Sequence, residues 1–75
     1  MTLEEFVEAF AAEFDDTSAE VFKPTTVFKD LEEWGSLTAL SIIAMVDDQM
    51  EKRITGADIR SSNTIEDLFN IANSK

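Results

Sequence analysis

The chain has 75 residues, sixteen Asp and Glu against six Lys and Arg, and neither cysteine nor histidine, for a formal net charge of −10. That length predicts one domain with a modest core, because small domains bury a smaller share of their surface than large ones. The missing residue types exclude disulfides, a thiol nucleophile and the commonest general base, which argues against an enzyme, and the charge repels nucleic acid while attracting basic protein surfaces.

The amino-terminal stretch MTLEEFVEAF is acidic where a signal peptide is basic, and no apolar run approaches the length of a membrane span. The expectation is a soluble, cytoplasmic monomer with no membrane span. In TLEEFVEAFAAEF, Leu3, Phe6, Val7, Phe10 and Phe14 recur at helical spacing, and Thr2 with Glu5 forms a capping-box pattern. From Asp15 to Gly35 the periodicity breaks, and Pro24 among short polar residues marks a long connection, with Val27, Phe28 and Leu31 expected to tuck it onto the core. Ser36 to about Met50 is the second helix. TGADIRSS reads as one short helical piece that Gly56 starts or separates, with Asp58 in its first turn and Ile59 as an inward anchor. NTIEDLFNIAN reads as the last helix, with Thr64 and Asp67 as a cap pair and Ile65, Leu68, Phe69 and Ala72 inward. The sum is an all-α fold, a small four-helix bundle of three longer helices and one short one with a long first loop, forming a single domain over 1–75. Its expected interior includes Phe6, Phe10, Phe14, Phe28, Ile42, Ile43, Val46, Leu68 and Phe69.

The second helix carries two apolar faces. At roughly 100° per residue, Ala39, Ile42, Ile43, Val46 and Met50 share one side as a core stripe. Leu37, Leu40 and Ala44 lie on nearly the opposite side, and Asp47, Asp48 and Glu51 continue it. Two readings stand: Leu37 and Leu40 pack against the long loop, or the strip docks a partner that sets apolar atoms on Leu40 and Ala44 and basic groups on the acids, with Asp58 nearby. Lys52 and Arg53 follow these acids and dilute them, and their place suits the charge preference of a helix C-terminus.

Ser36 is the first residue of the second helix or its N-cap, so its hydroxyl lies beside unpaired backbone N–H groups. One reading is a capping serine and nothing more. The other is an acceptor: a phosphate on this oxygen would meet the positive end of the helix dipole. No base nearby can activate the hydroxyl, so such a group would be attached by another enzyme.

The segment FKDLEEWGSLTAL, a helix ending in acids, then TGADI and TIEDLF, resemble the acyl carrier protein family over Leu3 to Ala72. In that family an Asp-Ser-Leu motif opens the second helix and its serine receives 4′-phosphopantetheine from coenzyme A. The resemblance implies attachment at Ser36 by a phosphopantetheinyl transferase, and a mobile arm whose thiol carries acyl groups as thioesters in fatty acid, lipid or polyketide biosynthesis. It further implies a recognition surface at Leu37, Leu40, Ala44, Asp47 and Asp48 for basic surfaces of acyl-transfer, synthase or ligase enzymes, with no catalytic residue and no metal in the chain itself. Two positions depart from the family. The loop is longer by a residue, which brings in Trp34, and Gly35 stands where the family has the aspartate that helps present the loop to the transferase. Glycine's tolerance of unusual backbone angles offers a physical role in easing the turn into the helix. The alternative reading is an unmodified, carrier-like interaction module that keeps the acidic face without the arm.

Self-repulsion among ten excess negative charges opposes the compact state. The melting temperature should therefore rise when sodium chloride or a divalent cation is added, as followed by circular dichroism. A melting temperature unmoved by either would contradict this.

Overall fold

A computed structural model describes all residues, 1–75. Helix α1 (Leu3–Ala11) begins at a capping box: the Glu5 N–H donates to Thr2 Oγ1 at 3.2 Å and the Thr2 N–H to the Glu5 carboxylate at 2.8 Å. Two backbone donors that a helix start leaves unpaired are thereby satisfied from within the chain. Helix α2 (Ser36–Met50) follows the long loop, then α3 (Gly56–Ser61) and α4 (Ile65–Asn73). Both α3 and α4 repeat the capping box, with Thr55 and Asp58 in one and Thr64 and Asp67 in the other. The carboxylates of Glu5, Asp58 and Asp67 in these boxes lie below the usual range. For Glu5 and Asp67 the main cause is the hydrogen bonds from the cap residue, whereas for Asp58 the Lys75 ammonium comes first.

α1 stops before Phe14. Two tight turns, Glu13 N–H to the Phe10 oxygen at 3.1 Å and Phe14 N–H to the Ala11 oxygen at 3.0 Å, carry the chain onward. Phe14 still turns its ring inward and is buried. The connection over residues 12–35 contains two single 3₁₀ turns, Ala19–Val21 and Phe28–Asp30. It is tied down at its middle, where the Ile65 N–H donates to the Thr26 oxygen at 3.2 Å and the Glu66 N–H to the Pro24 oxygen at 3.0 Å. Loop carbonyls thus satisfy first-turn donors of α4 that the capping box does not reach. Phe28 is fully buried and Leu31 half-buried against the core, as expected. Val27 is not tucked in: its backbone bridges Thr64 and its side chain is exposed, because the backbone pairing with α4 orients this residue.

The four helices form an all-α bundle, with α1 packed on α2 and α4, and α3 on α4. No helix is long and apolar enough to cross a membrane. Phe6, Phe10, Phe28, Ile42, Val46, Ile65 and Leu68 are fully buried. Two expected interior residues, Ile43 and Phe69, are only half-buried, whereas Phe22, Met45 and Ile54 are buried. On α2 the buried arc runs over Ile42, Met45 and Val46, rotated from the periodic stripe toward Met45, which leaves Ile43 at its edge. Phe69 packs at the rim against Phe6, with ring centroids 5.3 Å apart.

Phe10 is the hub of an aromatic cluster. Its ring centroid lies 5.6 Å from Phe14, 6.2 Å from Phe22, 5.4 Å from Phe28 and 6.4 Å from Trp34. Phe10→Ala removes the contacts that join α1 to four rings of the connection, and it should cost about 3–5 kcal/mol. That is a large share of the stability a domain this small has. Urea titration followed by Trp34 fluorescence measures the loss, and a shift below about 1 kcal/mol would refute the hub role.

Candidate functional site

Gly35, not Ser36, occupies the N-cap of α2, and no side chain caps this helix. Ser36 is the first helical residue, is exposed, and its hydroxyl forms no hydrogen bond within the chain, so the capping reading fails. The Gly35 backbone is extended, with φ −172° and ψ −174°, and a Cβ built there meets nothing within 4 Å. An extended backbone does not demand glycine, so the turn into α2 does not depend on its conformational freedom. Thr38 Oγ1 donates to the Glu33 main-chain oxygen at 2.7 Å, fastening the first turn of α2 back onto the loop.

The loop before Ser36 is held from two sides. Trp34 lies over Phe10 with nearly parallel rings and meets Phe28 edge-on at 4.8 Å, so its indole anchors the site to the core. Glu33 accepts the Asp16 N–H at 2.9 Å, the Asp15 N–H at 3.2 Å and the Thr17 hydroxyl. Its carboxyl sits below the usual range, chiefly through the Thr17 hydroxyl and then the two backbone N–H groups. This clamp joins the two ends of the long connection.

Leu37 is 81% and Leu40 61% exposed, and Ala44, Asp47, Asp48 and Glu51 are exposed beside them. The two leucines therefore do not pack against the long loop. Glu51 ends the helix in a left-handed conformation at φ 55°, its N–H donating to the Asp47 oxygen at 3.1 Å. A shallow hollow of about 290 Å³ lies along this strip, lined by Leu40, Ile43, Ala44, Asp47, Arg53 and Ile54. Arg53 so places a cation at the edge of the acids. Lys52 turns away to the Lys75 main-chain oxygen at 2.7 Å, a tie across the fold in place of the helix-end role expected of it.

Asp58 is engaged within the chain through one of its two carboxylate oxygens. Its carboxylate accepts the Thr55 N–H and pairs with the Lys75 ammonium at 2.9 Å. Beside Ser36 a second groove of about 390 Å³ opens between the end of the loop, the start of α2 and α3, with Lys29, Trp34, Ala39, Ile59 and Arg60 on its walls. Lys29 and Arg60 were not singled out from the sequence. They lie 31 residues apart in the chain and meet only through the fold, where Lys29 Nζ donates to the Arg60 main-chain oxygen at 2.7 Å. Nor does any local pattern announce the Glu33 clamp, whose partners sit 16 to 18 residues upstream.

No protein-family model, curated protein or solved structure matches the chain.

A carboxylate whose pKa is lowered by folding contributes stability that is present above its unfolded value and lost as pH falls through the folded one. For Glu33 the loss begins below its ordinary value of 4.5. Glu33→Gln should thus melt below wild type at pH 7, and the gap between the two should close as pH drops beneath that value. A gap independent of pH would assign the effect to something other than the carboxylate.

Proposed function

We propose that this chain is an acyl carrier: Ser36 bears a 4′-phosphopantetheine arm and the outward face of α2 presents the loaded arm to successive basic enzymes. The observation that carries the reading is the exposed, unbonded Ser36 hydroxyl at the head of a helix whose outward strip is Leu37, Leu40, Ala44, Asp47, Asp48 and Glu51. An apolar start and an acidic end suit a partner surface that combines an apolar contact with Lys or Arg, and the acids raise the encounter rate at low salt.

In the attachment step a phosphopantetheinyl transferase takes the proton from Ser36 Oγ. The oxygen bonds to the phosphorus that bears the pantetheine, and the pyrophosphate bond of coenzyme A breaks to release adenosine 3′,5′-bisphosphate. The arm supplies the thiol that this cysteine-free chain lacks, and with it thioester chemistry. Trp34 and Glu33 hold the loop so that the serine stands clear of the bundle. Acyl transfer itself belongs to the partner enzymes.

Gly35 favours the second reading, the unmodified interaction module, because it withholds an acidic side chain from the transferase. One experiment separates the two. Intact mass is measured after incubation with coenzyme A, magnesium and a broad-specificity phosphopantetheinyl transferase, for wild type, Ser36→Ala and Gly35→Asp. Wild type should gain one phosphopantetheinyl group and Ser36→Ala none. Gly35→Asp meets open space, should fold as wild type does, and should load at least as fast. A gain in Gly35→Asp with none in wild type would sink the carrier reading for the native chain.

A further inference from the structure

We propose that Lys29 and Arg60 form a clamp for a phosphate ester on Ser36 Oγ. This inference rests on the reading of Ser36 as a residue that carries such an ester. Sixteen carboxylates outnumber six cations in the chain, yet the groove beside Ser36 has Lys29 and Arg60 on its walls and neither Asp nor Glu. The one ion pair in the fold joins Lys75 to Asp58, and neither Lys29 nor Arg60 has a carboxylate oxygen within 4.0 Å.

Both cations are held at the groove by the fold. The Lys29 ammonium spends one N–H on the Arg60 main-chain oxygen at 2.7 Å and lies 5.9 Å from the centre of the buried Phe28 ring. Its remaining N–H groups are free to donate. The Arg60 guanidinium reaches back along α3 to Gly56, where one of its terminal nitrogens stands 3.4 Å from where a Cβ would be. That guanidinium makes no hydrogen bond and no ion pair within the chain. A basic residue near the end of a short helix is ordinary. It does not explain why both cations share the groove of the one serine at the head of α2 while every acid is kept off its walls. Trp34, Ala39 and Ile59 supply apolar surface there, which strengthens attraction between the cations and a phosphate. The clamp would hold the root of an attached arm and leave its far end free.

The test installs phosphoserine at position 36 of the full chain by codon reassignment, which bypasses any transferase. Its second ionisation lies at about pH 6 and is read by phosphorus NMR. With the clamp intact the midpoint should lie about half a unit or more below that of the same phosphoserine in Lys29→Gln with Arg60→Gln, and added salt should narrow the gap. Arg60→Gln alone removes a side chain with no bonds to lose, so it keeps the test valid should the double variant fail to fold; it should show part of the same rise. Equal midpoints in wild type and Arg60→Gln overturn the clamp. In chains loaded from coenzyme A, the phosphodiester resonance should likewise shift between wild type and Arg60→Gln, which separates the arm's phosphate from a simple monoester. Loading with equal midpoints leaves the carrier reading standing without the clamp. A lowered midpoint in a chain that does not load leaves the clamp standing without the carrier.

Discussion

The contact between Phe10 and the rings around it is the constraint on which the rest of this small protein depends. A connection of two dozen residues without long helices is costly to order, and side-chain burial is what holds it on α1, beside its backbone ties to α4. Phe14, Phe22, Phe28 and Trp34 all come to Phe10 from that connection or its start. Aromatic side chains remove large apolar areas from water and gain further from tilted ring pairs, so a few of them can replace a regular element. Because the last ring, Trp34, lies two residues before Ser36, the position of the site is a direct consequence of core packing.

Charge is arranged in three different ways on one acidic chain. Glu5, Asp58 and Asp67 are engaged at helix starts, where backbone N–H groups, and for Asp58 first the Lys75 ammonium, favour the ionised form. Glu33 does the same work for a loop. Asp47, Asp48 and Glu51 make no such bonds and remain open to solvent on the outward face of α2. A carboxylate committed to capping offers little to a partner, whereas an uncommitted one beside exposed leucine offers both charge and an apolar neighbour. This is why Asp58 and Asp47, alike in a charge count, differ in what they can do.

α2 is the least self-sufficient of the helices at its ends. It starts on Gly35 without a side-chain cap and finishes on Glu51 in a left-handed backbone that costs roughly 1 kcal/mol in a residue other than glycine. Its stability comes from packing Ile42, Met45 and Val46 into the core, as is usual for helices in proteins. An uncapped start leaves the Ser36 hydroxyl unbonded. Stability contributed elsewhere in the bundle permits an exposed, chemically available serine where a capping serine would have been more stabilising.

Much of this was legible in the residues alone. The capping boxes at Thr2 and Thr64, the bounds of α2 and its two opposed apolar faces follow from interactions within a few residues, which periodicity and cap chemistry record. The sequence by itself could not choose between a capping and a free Ser36, nor between packed and exposed Leu37 and Leu40. It also missed Met45 and misjudged Val27, Ile43 and Phe69. Those outcomes were decided by tertiary structure, because which arc of a helix is buried depends on the neighbours that reach it. Glu33 with Asp15 to Thr17, and Lys29 with Arg60, were equally beyond local pattern. Each joins segments far apart in the chain, and only the packing of the fold brings those segments together.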